Sequence, residues 1–519
     1  MKKRVLLILA IFAFINSIAQ TPITFNKVKY YNGDSSQNDV MIRGIIVLDT
    51  AYILVTVGEY DSKWHGTQIS KSDGYGNILN VIRFNEDSIR YPTYSGNCIV
   101  LDNDTNIIIA SNTLNVHAAY YNIWEGFLIK LDKNLDTIWT RSLHLPDSLV
   151  GGCNRPNNYF TAIEVTHDGG YIVMGNYYYN CIYTSQNWHS YLTKYDKNGN
   201  LLWIKTYINL YPCFDIALTS DSGFVFSPHN YTQDEVCKTD SLGNIEWFAN
   251  ANSLLHFVSY DITVSGDDIV SVSPYVYYSD GNLNNNRYGL DVVKTNSLTG
   301  QIVWNKQYIP MISVKCPTLH QHLEVEVDDN DNIIIAATGH AQNYNHTAGG
   351  YKGFLMKLNS NGDSLWTHFY DWGSFFQRYA QFNDFVLTDD GGILAGGYWN
   401  PPYLNYKQGA WLVKTDSMSN APGMFTVSIE ENELIISKNM LNIYPNPATE
   451  NINLGFDKST NENMELQIYN SSGVLVKQQQ LQAYAHEYRI GIQELSVGVY
   501  FVHIESQKGE VFNSRFIKK

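Results

Sequence analysis

The stretch Phe127-Leu128-Ile129-Lys130-Leu131-Asp132, with Trp139 behind it, recurs along this chain, and its recurrence decides the fold. An apolar run ends on Lys-x-Asp or Lys-x-Asn, a tight turn follows, and a Trp stands nine residues after the Lys. The cassette returns as Lys194/Asp196/Gly199/Trp203, as Lys238/Asp240/Gly243/Trp247 and as Lys357/Asn359/Gly362/Trp366, while Lys294/Asn296/Trp304 has one more residue in its turn. A first copy, Lys71/Asp73/Gly76, has Asn80 in the Trp position, and a seventh, Lys414/Asp416, has no Trp segment behind it. Neighbouring lysines are 44 to 64 residues apart. That is the length of one four-stranded unit with variable connections.

A second element precedes each cassette: a strand, an Asp/Asn/Gly turn and another strand. Ala162–Val165, His167-Asp168-Gly169-Gly170 and Tyr171–Gly175 form one copy. Asp389-Asp390-Gly391-Gly392, Asp221-Ser222-Gly223 and Asn330-Asp331-Asn332 mark others. Alternating apolar residues broken by such turns read as hairpins. Two hairpins per unit and seven units predict an all-β, seven-bladed β-propeller over residues 20–418. The missing seventh Trp has a substitute. Thr24-Phe25-Asn26-Lys27-Val28-Lys29-Tyr30 matches Val303-Trp304-Asn305-Lys306-Gln307-Tyr308 apart from one added residue. The N-terminal strand, 23–30, is therefore expected to complete the last blade with Phe25 in the Trp position. The turn and lysine motifs resemble the repeats of secreted bacterial propellers and, more loosely, the tryptophan-docking repeats of quinoprotein-like propellers. The calcium-site and adjacent-cysteine features of quinoprotein enzymes are not visible, so the resemblance implies no quinone, and no cofactor is expected.

After a linker read at 419–440, residues 441–519 change character. They open on Tyr444-Pro445-Asn446-Pro447 and run through the alternating sets Ile452/Leu454/Phe456, Met464/Leu466/Ile468 and Val474/Val476. They close on Leu495-Ser496-Val497-Gly498-Val499-Tyr500 and the basic end Lys518-Lys519. The alternation predicts a small Ig-like antiparallel β-sandwich. This segment resembles the type A C-terminal sorting domain of cargo of the type IX secretion system of Bacteroidota. The resemblance implies recognition by the secretion translocon and its sortase, passage through the periplasm, and a secreted or outer-membrane surface-attached product from which the tail is usually removed.

The N-terminus agrees with export. Lys2, Lys3 and Arg4 precede the apolar run Val5–Ile15, and Ser17-Ile18-Ala19 supplies small residues for cleavage, so 1–19 reads as a signal peptide. No later stretch is long enough to span a bilayer as a helix. A net charge of -15 argues against nucleic acid and anionic membrane surfaces as partners. The six cysteines, Cys98, Cys153, Cys181, Cys213, Cys237 and Cys316, show no CxxC spacing. One or two bridges among Cys153, Cys181 and Cys213, or free buried thiols, both fit an exported chain.

The sequence nominates no catalytic residue. It holds no G-x-S-x-G, H-E-x-x-H or P-loop, and no carboxylate pair stands out as acid and base. Asp328-Asp329-Asn330-Asp331-Asn332 lacks the Gly and Glu of a calcium loop and falls where other units turn. His320/His322 and His340/His346 have weak metal spacing, so no metal is expected. The repeated lysines read as surface or turn contacts with the Asp two residues on. One feature stands above this background. The connection between the second and third strands of each unit concentrates aromatic residues, and in an up-and-down blade all seven connections emerge on one face. Trp64, Tyr121, Trp124, Tyr178, Tyr183, Trp188, Tyr277, Tyr278, Tyr344, Tyr398, Trp399 and Tyr403 are the candidate ligand contacts. Tyr and Trp give contact area at low entropy cost. The expected function is a binding or adhesion module for a glycan or a surface protein. The alternative is a glycan-active hydrolase or lyase over the channel, which needs a pair of carboxyls near the axis.

Overall fold

A computed structural model describes the chain from Pro22 onward, leaving out 30–39, 60–64, 85–88, 94–96, 116–122, 147–156, 180–186, 251–260, 279–286, 311–322, 341–350, 372–378, 401–407, 434–440 and shorter pieces between strands. The signal-peptide reading of 1–19 lies outside the described residues. The chain divides into two compact units, Met1–Glu433 and Leu434–Lys519. No helix occurs among the described residues.

The first unit is a seven-bladed β-propeller. Six blades run through Val40–Phe84, Ile89–Leu143, Asn157–Tyr207, Cys213–Asn250, Asp261–Pro310 and Glu324–Tyr370, each an antiparallel meander. The seventh takes three strands from Tyr379–Lys414 and its fourth from Phe25–Lys29. The first strand of every blade lies innermost, and these strands neighbour one another in an unbroken ring. Apolar side chains fill the spaces between blades. Ile163, Tyr171, Tyr177 and Tyr191 pack with Ile108, Ala110 and Leu128 of the blade before, whereas Ile172, Met174 and Leu192 pack with Ile216, Phe224 and Phe226 of the blade after. Period-two alternation thus buries both faces of each sheet.

The seam between the last and first blades reproduces the other junctions. Phe25 stands opposite Lys414, the register that Trp139, Trp203, Trp247, Trp304 and Trp366 keep with their own lysines. Trp139 packs over Gly199 of the following blade, where an added Cβ would sit 2.9 Å from the indole; Phe25 packs over Gly76, where it would sit 2.9 Å from the ring. Both glycines are also left-handed, with φ of 77° and 73°. Asn26 reinforces the seam: its amide donates to Asp371 O at 2.8 Å and Pro422 O at 2.7 Å and accepts from Trp411 Nε1 at 2.7 Å.

The lysines differ from their reading in the sequence. Lys130, Lys194, Lys238, Lys294 and Lys414 are buried ion-pair partners and Lys357 is a half-buried one, each with an acid other than the residue two positions on, while Lys71 donates to Lys133 O at 2.8 Å. Lys194 and Lys414 reach Asp168 and Asp390 of their own blade's first turn at 2.8 and 2.9 Å. Lys130 and Lys357 reach Asp102 and Asp328 at 2.7 Å. Lys238 bridges Asp221 and Glu246. The last Gly of this first turn leaves room for the backbone and the lysine together, because a Cβ on Gly170, Gly223 or Gly392 would lie 2.3, 2.2 or 2.1 Å from the carbonyl oxygen of Tyr195, Thr239 or Thr415 and 2.6, 2.2 or 2.6 Å from the lysine Nζ. The Asp two residues on closes the second turn instead: Asp132 Oδ1 accepts from the Asn134 and Asp136 amides at 2.8 and 2.9 Å. The supposed calcium loop is a turn whose Asp328 carboxylate is held by Lys357 and by the Asn330 and Asn332 amides.

Part of the stretch read as a linker is strand. Met424–Thr426 pairs with the outer strand of the sixth blade and Ile429–Glu433 with that of the fifth. Both cover sheet edges that would otherwise present unpaired amides.

The second unit is a sandwich of a three-stranded and a four-stranded sheet over a core of Ile452, Leu454, Met464, Leu466, Ile468, Val502, Ile504 and Phe516. Its opening motif and its basic end are joined. Asn446 donates to Arg515 O at 3.2 Å and accepts from the Ile517 amide at 2.9 Å, and Ala448 exchanges backbone bonds with Ile517 and Lys519. Asn446→Ala is expected to cost about 1–2 kcal/mol and to speed exchange of the Ile517 amide, read by hydrogen exchange.

Candidate functional site

The two faces of the disc differ chemically. One carries the short Asp/Asn/Gly turns, closed by their own side chains and tied to the buried lysines. The other carries the connections between second and third strands. Trp64, Tyr121, Tyr183, Tyr344 and Tyr403 lie outside the described residues, and Tyr277 and Tyr278 are described only as backbone of a strand. Trp124, Tyr178, Trp188 and Tyr398 are half-buried at strand ends on that side. Trp399 corrects the expectation. It is buried in the core of the last blade with Ala380 and Trp411, because the strand Ile393–Asn400 extends past it and turns it to the side opposite half-buried Tyr398.

Three of the described rings meet on the third blade. Tyr178 and Trp188 are direct cross-strand partners with centroids 4.5 Å apart, and Tyr159 of the innermost strand meets Trp188 edge-on at 5.9 Å. Tyr178 lies on the same side of its strand as Ile172 and Met174, the side turned to the fourth blade. Burial raises the Tyr178 hydroxyl above its ordinary range. Tyr159 was not picked out from the sequence. Its signal was its place three residues before Ala162, where the innermost strand still rises toward the loop face.

The axis holds what sequence reading missed. The innermost strands carry six carboxyls, Glu164, Asp215, Asp261, Glu324, Glu326 and Asp384, and Arg43 is the one basic residue among them whose side chain is described. Asp215, Asp261, Glu324 and Asp384 occupy equivalent positions on four successive blades and are buried. Three of them accept a backbone amide from the next blade: Asp215 from Ile262 at 2.9 Å, Asp261 from Val325 and Asp384 from Ile45 at 2.5 Å. Asn97 donates from one nitrogen to Asp215 at 2.5 Å and to Asp261 at 2.8 Å. Burial raises all four carboxyls, and the neighbouring carboxylates raise Asp261 and Glu324 further. Glu164 and Glu326 stand two residues along their strands from this level and keep contact with solvent in the channel. Burial, then the Asp215 charge, pushes Glu164 up to about 8 and Glu326 up to about 7. Each acid sits in a strand that reads as ordinary alternation, so only ring closure brings them together.

Cys98, Cys213 and Cys237 are buried thiols outside any disulfide; Cys153, Cys181 and Cys316 lie outside the described residues. Among the described residues no group of three His, Cys, Asp or Glu side chains is arranged to hold a metal. No helix among them is long and apolar enough to cross a membrane.

Residues 442–519 match the family described as the secretion system C-terminal sorting domain. The tail is a secretion sorting domain. It belongs to the type IX system, directs export through the periplasm to a secreted or surface-attached location, and engages that machinery. No curated protein matches the chain. Similar solved structures include a protein of unknown function from Bacteroides caccae, at 10% identity, TM-score 0.32 and coverage of 64% of this chain and 93% of that one. The Pan2 WD40 domain of Neurospora crassa matches at 10% identity and TM-score 0.38, covering 73% and 96%. The NanB sialidase of Streptococcus pneumoniae matches at 10% identity and TM-score 0.40, covering 77% and 71%.

Proposed function

We propose that this exported propeller is a binding module that takes a glycan or a surface protein on its loop-bearing face. The observation that carries the reading is the group of half-buried rings at Tyr159, Tyr178 and Trp188, set at the loop end of a rigid blade. Rings fixed by packing, here tilted 45° and 78° to one another, present apolar contact area without an ordering cost, which suits contact with the C–H face of a sugar or an apolar protein side chain. The buried axial carboxyls support binding over catalysis, since Asp215, Asp261 and Asp384 spend an oxygen each on a neighbouring blade's amide. The rival hydrolase or lyase has Glu164 and Glu326 in its favour, two channel carboxyls raised into the range of a general acid. Delivery by the secretion translocon, with removal of the tail by its sortase, completes the reading.

The test is a glycan array and a cell-surface pull-down with the full chain, repeated with Tyr178→Ala and Trp188→Ala. Loss of a ring at the centre of a contact is expected to weaken binding tenfold or more. Undiminished binding by both variants removes the aromatic site. Release of new sugar ends, abolished by Glu164→Gln or Glu326→Gln, would establish the rival instead.

A further inference from the structure

We propose that the axial carboxyls form a proton-dependent clasp that keeps the ring closed between the fourth and first blades. The inference is independent of what the loop face binds. Its basis is geometric. Asp215, Asp261, Glu324 and Asp384 follow one another around the axis on adjacent innermost strands, and a carboxyl oxygen on a backbone amide fastens the fourth blade to the fifth, the fifth to the sixth and the seventh to the first. The last of these, Asp384 to Ile45, lies at the seam where the two ends of the ring meet. Asn383 adds a bond at the same seam, donating to Ile42 O at 2.7 Å.

Such a row cannot be fully ionised. Carboxylates that share the single Asn97 amide nitrogen repel one another strongly when both are charged and screened from water. The groups facing the row do not supply the missing positive charge. Arg43 comes from the first blade, Cys98 and Asn97 from the second, Glu164 from the third and Glu326 from the sixth, so among the described side chains one cation faces six acids. Cys98 is neutral as well, its thiol raised by burial and by Asp384 and donating to Arg43 O at 3.7 Å. Protons shared along the row remove the repulsion and supply O–H donors between neighbouring carboxyls. When they leave, they pass to water in the channel that Glu164 and Glu326 line.

The direction follows from linkage. These carboxyls are raised in the folded ring, so the ring binds more protons than the unfolded chain between the ordinary carboxylate range and about 8, where Glu164 titrates. Their contribution is complete below about pH 4 and is lost as pH rises through neutrality. The clasp therefore holds best in mildly acidic surroundings and loosens in alkaline ones.

Hydrogen exchange of the full chain at pH 6 and pH 9, corrected for the intrinsic rate, tests this. Protection of the Ile45, Ile262 and Val325 amides should fall at least tenfold at the higher pH, while Val173 in the second strand of the third blade changes less. Asp261→Asn keeps an oxygen for Val325 while removing a titrating group, and Glu324→Gln removes a titrating group one blade on. Each should flatten the pH dependence at Ile262 and Val325 by at least half. If Asp261→Asn fails to fold, Glu324→Gln and the unaltered protein carry the test. Protection that does not change with pH in the unaltered protein, or an undiminished fall in Glu324→Gln, overturns the clasp.

Discussion

Phe25→Ala is expected to destabilise the propeller by about 3–5 kcal/mol, the cost of emptying a buried aromatic site. The ring is 6% exposed and lies between Lys414 on its own blade and Gly76 on the next. Lys27 adds a hydrogen bond from its ammonium to Tyr75 O at 2.5 Å between the same two blades. Loss of the ring leaves Gly76 over a void and loosens the one strand that closes the circle, which exposes the edge of the strand Gly409–Lys414. The urea midpoint should drop with little change in m, and aggregation should increase on warming. Phe25→Trp separates packing from chain connectivity. Tryptophan already occupies this position on five blades, opposite a glycine at Gly199, Gly300 and Gly362. It should therefore cost under about 1.5 kcal/mol. A loss in Phe25→Ala below about 1 kcal/mol would show that the seam does not depend on this contact.

Asp102→Ala should cost a similar amount, about 3–5 kcal/mol, for an electrostatic reason. Asp102 and Lys130 are both nearly inaccessible, with side-chain exposures of 5% and 8%, and meet at 2.7 Å. Removing the carboxylate leaves the ammonium with the Tyr171 hydroxyl at 3.0 Å and a carbonyl at 3.4 Å, neither of which balances its charge. Asp102→Ala with Lys130→Met should recover most of the loss, since it removes both charges and keeps the apolar stem. Failure of that recovery would mean that the turn geometry set by Asp102, rather than the charge, carries the effect. The pair also gives the acid limb of stability. Burial pushes the Asp102 carboxyl up, but the bonds from Lys130 and Asn106 outweigh it and hold it below its ordinary range. Its contribution is therefore present above about pH 4 and is lost as pH falls through the lowered value. Asp168, held down to about 2 by Lys194, Thr166 and Gly170 against the effect of burial, behaves alike. Ion pairs that fail in acid and an axial row that fails in alkali place the most stable pH between them.

The sequence legibility differs from element to element for physical reasons. The blades are readable because each must turn twice within about fifty residues, and turns demand particular residues. Gly199 is needed for its left-handed backbone, Gly170 for the closeness of Lys194, and Asp132 for the amides of Asn134 and Asp136. The substitution of Phe25 for tryptophan was readable because neighbouring positions repeat. The partner of each lysine was not. Lys130, Lys194, Lys238 and Lys414 each have an Asp in the turn before and another in the turn after, and only strand pairing decides that the earlier one, 17 to 28 residues before, lies at the ammonium. The strands Met424–Thr426 and Ile429–Glu433 were taken for a linker because they are short and their stability comes from edges supplied by other blades. Among the aromatic candidates, Tyr178 and Trp188 met as cross-strand partners, whereas Trp399 went into the core; one-residue differences in register choose between these outcomes.

The linear order of residues by itself determined the repeat, the number of blades, the exchange of the N-terminal strand into the last one, and the export tail with its Tyr444-Pro445-Asn446-Pro447 opening. These are local properties, written in turn chemistry and alternation. Tertiary structure alone decided the charge arrangement. Asp215, Asp261, Glu324 and Asp384 are separated by about fifty residues each along the chain and become neighbours only because seven innermost strands share one axis. Around that axis these four carboxyls are buried side by side, which raises them above the ordinary carboxylate range, and that environment exists only once the circle has closed.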